Sequence, residues 1–127
     1  MGNEMENDQR EGDGLDITTE DVDHFSLIVL SGEVDVYSAP KLREAIKDLV
    51  DQGRNNIIVD LEKVDFLDST GLGVLVGGLK RVKQNEGELG IICNQEKILR
   101  IFRITGLTKV FPIYASRQDL LAKTKEA

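Results

Sequence analysis

Apolar positions change their spacing several times along the chain, and each change marks a different element. Residues 16–20 and 25–31 alternate and are rich in β-branched side chains, so they read as two strands. Val22-Asp23-His24 lies between them as a turn, which predicts a hairpin. A helix opens at Ser38-Ala39-Pro40, with Ser38 as N-cap and the proline in the first turn, where a helix tolerates it. Leu42, Ala45, Ile46, Leu49 and Val50 form its apolar stripe, and Gly53 supplies the left-handed stop. The run Ile57-Ile58-Val59 within residues 56–61 has the pattern of a strand covered on both faces, which places it centrally. Phe66 and Leu67 then read as loop.

A second helix opens at Asp68-Ser69-Thr70 and runs to about residue 85, with Leu72, Leu75, Val76, Leu79 and Val82 as its buried stripe and Gly87 as its end. Residues 89–93 read as another buried strand. A short helix follows, with Ile98, Ile101 and Phe102 inward and Gly106 as its stop. Residues 110–113 make a last strand, and Ser116-Arg117-Gln118-Asp119 resembles a capping box for a C-terminal helix through Leu120 and Leu121. Strands alternating with helices predict an α/β fold, a mixed central sheet of about five strands with about four helices. The expected organisation is one domain over residues 15–127, preceded by a polar, acidic, disordered tail over residues 1–14.

Charge changes this picture in one respect. The formal net charge is −7, but residues 1–24 hold nine acids and one base, leaving fourteen acids against fifteen bases in the remainder. A nearly neutral body gives no footprint for direct nucleic-acid binding, and Lys80, Arg81, Lys83, Lys97, Arg100, Arg103 and Lys109 read as exposed helix faces. No apolar run approaches the ~20 residues of a membrane span, and the polar start lacks the order of a signal peptide. The expected location is therefore cytoplasmic, away from membranes. One cysteine, Cys93, and one histidine, His24, exclude an internal disulfide and a recognisable metal cluster. Cys93 reads as a buried strand end and His24 as a surface turn residue.

Chemistry concentrates at Asp68-Ser69-Thr70-Gly71-Leu72-Gly73, where a helix N-terminus presents backbone N–H groups and a positive dipole end. Three readings fit such a place: a plain N-cap, a nucleotide-phosphate cradle, and a hydroxyl presented to a kinase. The cradle fails on spacing. Gly71-x-Gly73 continues to Val76 where a dinucleotide fingerprint needs glycine, and Leu79 takes the place of a phosphate-loop lysine counted from Gly73 and Gly78. Catalysis is not expected, because Ser69 has no histidine assignable as its base. Gly71, Gly73, Gly77 and Gly78 each cost about 1 kcal/mol in a helix interior, so something must offset them. Gly73, Gly77 and Lys80 fall on the flank away from the stripe, with Ser69 one turn earlier. That strip either admits the backbone of a partner chain or serves tight packing within the fold, and the pattern leaves both open.

With these residues in view, the chain resembles the bacterial anti-sigma-factor antagonists, which consist of a STAS domain. Asp68-Ser69-Thr70-Gly71-Leu72-Gly73 is similar to that family's phosphorylation motif, and Gly32-Glu33-Val34-Asp35 to its upstream acidic loop. The similarity spans residues 15–123, including Cys93-Asn94-Gln95-Glu96 and Phe111-Pro112, and omits the acidic tail. The resemblance implies a partner switch. The unmodified protein binds an anti-sigma factor that is also a serine kinase and so frees a sigma factor. Phosphorylation at Ser69, with Thr70 as a minor acceptor, ends the complex, and a serine phosphatase restores it. Asp35, Asp68, Ser69, Thr70, Gly71, Gly73, Gly77 and Lys80 are the expected partner-binding positions. No cofactor or metal is implied, and the free protein is expected to be a monomer. The competing use of such a module is as a scaffold or ligand sensor in a signalling assembly.

Overall fold

Five strands lie side by side in chain order in the computed structural model, which describes residues 14–126: β1 (Leu15–Val22), β2 (Phe25–Val34), β3 (Asn56–Leu67), β4 (Glu88–Ile92) and β5 (Ile113–Tyr114). β1 and β2 form the predicted antiparallel hairpin, closed by Asp23-His24 with Asp23 at φ 54. The other pairs are parallel and need helical crossovers, supplied by α1 (Ala39–Asp51), α2 (Ser69–Gln84) and α3 (Glu96–Ile104); α4 (Arg117–Glu126) follows β5. The α/β fold with a mixed five-stranded sheet and four helices is thus observed, with β3 central. Most of the acidic tail falls outside the described residues. Gly14, counted with that tail, belongs to the fold instead, because its carbonyl accepts from Glu33 N at 2.9 Å.

Strand alternation divides the core between the two sheet faces. Ile28, Leu30, Ile57, Val59, Leu61, Leu89 and Ile91 pack with Leu42 and Ile46 of α1, Val74, Leu75 and Val82 of α2, and Ile98 and Phe102 of α3. The opposite face is smaller, with Leu27, Ile58 and Ile92 under Leu120 of α4. Cys93 is buried just after β4, as expected, and burial raises its thiol pKa.

Three local expectations are corrected. Ser38 stands at the N-cap of α1 but caps nothing; its hydroxyl donates to Glu33 O at 2.8 Å. Phe66 and Leu67 are not loop but the end of β3, hidden from the pattern because the register against β2 shifts twice. Gly87 follows the end of α2, as expected, and its N donates to Val82 O at 2.7 Å. Glu86 before it takes the left-handed conformation at φ 62, and Gly87 is required because a Cβ would lie 2.1 Å from Asn55 O. Residues 110–113 are not a strand: Val110 closes a 3-10 turn, Phe111 turns inward edge-on to Phe102 at 5.7 Å, and only Ile113–Tyr114 pairs with β4.

Candidate functional site

The site forms where two paired strands end together. Val34 of β2 lies opposite Leu67 of β3, and Asp68 N donates to Val34 O at 3.1 Å. The two sequence motifs therefore leave the sheet side by side, Asp35 from one strand and Asp68-Ser69 from the other.

Each aspartate orders its own turn. Asp68 has an extended backbone, and its Oδ1 accepts from Gly71 N at 2.9 Å, the hydrogen bond of an N-cap. Ser69 is then the first residue of α2 and exposed, and among the described residues its hydroxyl has no hydrogen-bond partner. Thr70 is half-buried. Asp35 Oδ1 accepts from Tyr37 N and Ser38 N, both at 3.0 Å, and lies 3.2 Å from Ser38 Oγ. One carboxylate oxygen thus folds the loop that faces Ser69's helix start, a structural task beyond the role expected of Asp35.

The four helix glycines divide into two pairs with opposite environments. A Cβ on Gly71 would lie 2.6 Å from Val34 Cγ1 and 2.8 Å from Leu67 Cδ1, and one on Gly78 would lie 3.0 Å from Ile46 Cδ1. Gly71 and Gly78 are buried packing positions that let α2 approach the sheet and α1, which removes Gly71's side from the exposed strip. Gly73 and Gly77 are exposed, and a Cβ on either would meet nothing within 4 Å among the described residues. The buried stripe of α2 is accordingly rotated toward Gly71, Val74, Leu75, Gly78 and Val82, leaving Leu72, Val76 and Leu79 half-buried at its margin. Gly73 and Gly77 open onto a groove of about 130 Å³ between α1 and α2, bordered by Arg43 and Arg81. Lys80 is exposed on the same helix.

Apolar side chains exposed beside the site were not anticipated. Val36 and Tyr37 in the Asp35 loop are 55% and 79% exposed, and Phe66 at the end of β3 is 47% exposed. Phe66 also borders a second groove, of about 230 Å³, with Lys97, Ile98 and Ile101. The chain pattern hides their common location, because they come to one end of the sheet only when β2 and β3 end in register. Large exposed apolar groups beside polar ones are the composition of a protein-binding surface. Among the described residues no group of His, Cys, Asp and Glu could hold a metal ion, and no helix is long and apolar enough to cross a membrane.

Comparison with known proteins agrees with this geometry. Residues 16–120 match the family model described as the STAS domain. An anti-sigma-B factor antagonist of Staphylococcus aureus (strain NCTC 8325 / PS 47) is 44% identical over 93 residues, which cover 73% of this chain and 86% of that one. Another anti-sigma-B factor antagonist, from Listeria monocytogenes, is 40% identical over 101 residues, covering 78% of this chain and 86% of its own. The crystal structure of an anti-sigma factor antagonist from Mycobacterium paratuberculosis superposes with a TM-score of 0.80 at 32% identity, over 89% of this chain and 96% of that one.

Proposed function

The chain belongs to the STAS domain family, and from that membership we propose that it is an anti-sigma factor antagonist switched by phosphorylation of Ser69. In the unmodified state it binds an anti-sigma factor through Ser69, Asp35 and the apolar cluster of Val36, Tyr37 and Phe66. The anti-sigma factor is a serine kinase that modifies Ser69 and leaves, and a phosphatase resets the site. The protein acts by binding, in the cytoplasm, without a cofactor.

The observation that carries this reading is the placement of Ser69: exposed, first in α2, without a hydrogen-bond partner for its hydroxyl among the described residues, and at the end of the sheet where Val36, Tyr37 and Phe66 are also exposed. A phosphate there brings −1.5 to −2 charges at a helix N-terminus, where the fold itself accommodates an anion. The fold is therefore retained on modification, and the loss falls on the interface. Placing that charge next to Asp68 and Asp35, against a partner shaped for a hydroxyl, costs several kcal/mol. A hundredfold loss of affinity requires only about 2.7 kcal/mol.

Calorimetry with the cognate anti-sigma factor tests the switch. Ser69→Ala binds like the unmodified protein and resists inactivation by ATP, and Ser69→Asp binds at least tenfold more weakly. Equal affinities for the two variants would refute a switch at this residue.

A further inference from the structure

β3 loses half of its support partway along. From Ile57 to Asp60 it is paired on both sides, and Asp60 opposite Ile92 is its last pair with β4. Beyond that point β2 alone accompanies it among the described residues, and β3 gains an extra residue against β2 between Val29 and Ser31 and another between Gly32 and Glu33. A strand that is bulged twice and paired on one side is the least constrained kind of sheet segment. This segment nevertheless runs straight into Asp68 and Ser69.

A single side chain takes the place of the missing strand. Gln95 Nε2 lies 3.2 Å from Leu61 O, 3.0 Å from Glu62 O and 2.7 Å from Val64 O, so its two amide hydrogens are shared among three carbonyls of the bulged strand. Gln95 sits at the N-cap of α3 with an extended backbone, where a polar side chain ordinarily serves its own helix, yet it makes no cap hydrogen bond. Its neighbour Asn94 donates to Glu62 Oε2 at 3.2 Å, and Asp60 Oδ1 accepts from Glu62 N at 2.9 Å. All three contacts converge on the bulge.

We infer that Gln95 is a positioning residue for the switch: its amide substitutes for the absent part of β4, holds the outer half of β3 in one conformation, and so fixes where Ser69 is presented. The effect on partner binding rests on the function proposed above, whereas the holding of β3 does not. Without the amide, the segment must be ordered by the partner at the moment of binding, which lowers affinity without altering any residue of the interface.

The test uses the full chain with Gln95→Leu, which keeps the bulk and removes the donors, and Gln95→Lys, whose ammonium restores three donors. Hydrogen exchange followed by mass spectrometry is expected to rise at least tenfold in Gln95→Leu for amides of residues 63–69, with residues 25–30 and 88–92 unchanged. Affinity for the anti-sigma factor falls about tenfold in Gln95→Leu and recovers in Gln95→Lys. If Gln95→Leu does not fold, Gln95→Asn, whose amide stops one methylene short, supplies the same reading. Exchange that is unchanged, or that rises equally across the sheet, overturns the inference, as does a local rise with unaltered affinity. Wild-type protein that binds no anti-sigma factor, or a Ser69→Asp variant that binds as tightly as wild type, overturns the function reading and the positioning role together. The exchange pattern still decides the holding of β3.

Discussion

Adding one methyl group at Gly71 and at Gly77 should move stability in opposite directions, although both residues lie in the same helix. At Gly77 a Cβ meets nothing within 4 Å among the described residues, so Gly77→Ala collects the helix-propensity difference of about 1 kcal/mol without a clash against them. At Gly71 the same Cβ would sit 2.6 Å from Val34 Cγ1, 2.8 Å from Leu67 Cδ1 and 3.1 Å from Val34 O. Val34 and Leu67 are themselves buried, so neither methyl can withdraw into solvent. Overpacking of this kind costs about 1–3 kcal/mol and exceeds the propensity gain, which is smaller in a first turn, leaving a net loss of about 1–2 kcal/mol. For a domain of this size each kcal/mol moves the midpoint by about 3–5 °C. Urea and thermal unfolding followed by circular dichroism measure both variants directly. Gly71→Ala more stable than wild type, or Gly77→Ala less stable, would refute the division of the glycines into packing and open positions. The open position then allows a functional step: Gly77→Leu should keep the wild-type spectrum while losing anti-sigma factor binding, if the strip lies in the interface.

Two further outcomes follow from the site and the core. Asp35→Ala removes the acceptor shared by Tyr37 N and Ser38 N and should cost about 1–2 kcal/mol in urea unfolding. Asp35→Asn keeps a carbonyl there and should stay within about 0.5 kcal/mol of wild type; equal losses would refute the loop-ordering role. Burial holds the Cys93 thiol neutral above its ordinary 9.0, so its contribution is fully present below that pH. It is lost as pH rises through the ordinary value toward the raised one, because the unfolded chain ionises first. Comparing denaturation midpoints at about pH 8 and about pH 10, Cys93→Ala should flatten the decline seen in wild type; an identical decline in both would refute it.

The sequence is most informative where one physical rule acts alone. Ile57-Ile58-Val59 could only be a strand covered on both faces, and Leu42, Ile46 and Leu49 could only be the inner stripe of α1; all six are buried. Where two rules compete, the pattern misleads. Phe66 and Leu67 belong to β3, but the bulges break the alternation that would have revealed them. The run from Val110 to Ile113 has strand composition, yet Pro112 has no N–H to donate to a ladder and Phe111 is drawn to Phe102. Of the site, Asp68 and Ser69 were legible because capping is local in sequence. The exposed apolar side chains of Val36, Tyr37 and Phe66 were not, since their common location depends on which residues of two strands end opposite each other. The glycines of α2 were ambiguous for the same reason: only the neighbours supplied by Val34, Leu67, Ile46 and Leu89 separate the crowded pair from the open one.

Because β1 to β5 lie side by side in chain order, the sheet can be assembled during synthesis in the order in which the ribosome delivers its strands. Ser69 emerges well ahead of Gln95, and at about 5–20 residues per second the interval between them is on the order of a few seconds. Throughout that time Ser69 exists on a chain whose β3 carbonyls still lack the amide that fastens them. An anti-sigma factor that recognises the fastened geometry will pass over nascent chains and engage finished ones. The count of antagonist molecules that a cell can act on is then the count of completed domains, not of serine motifs exposed on polysomes.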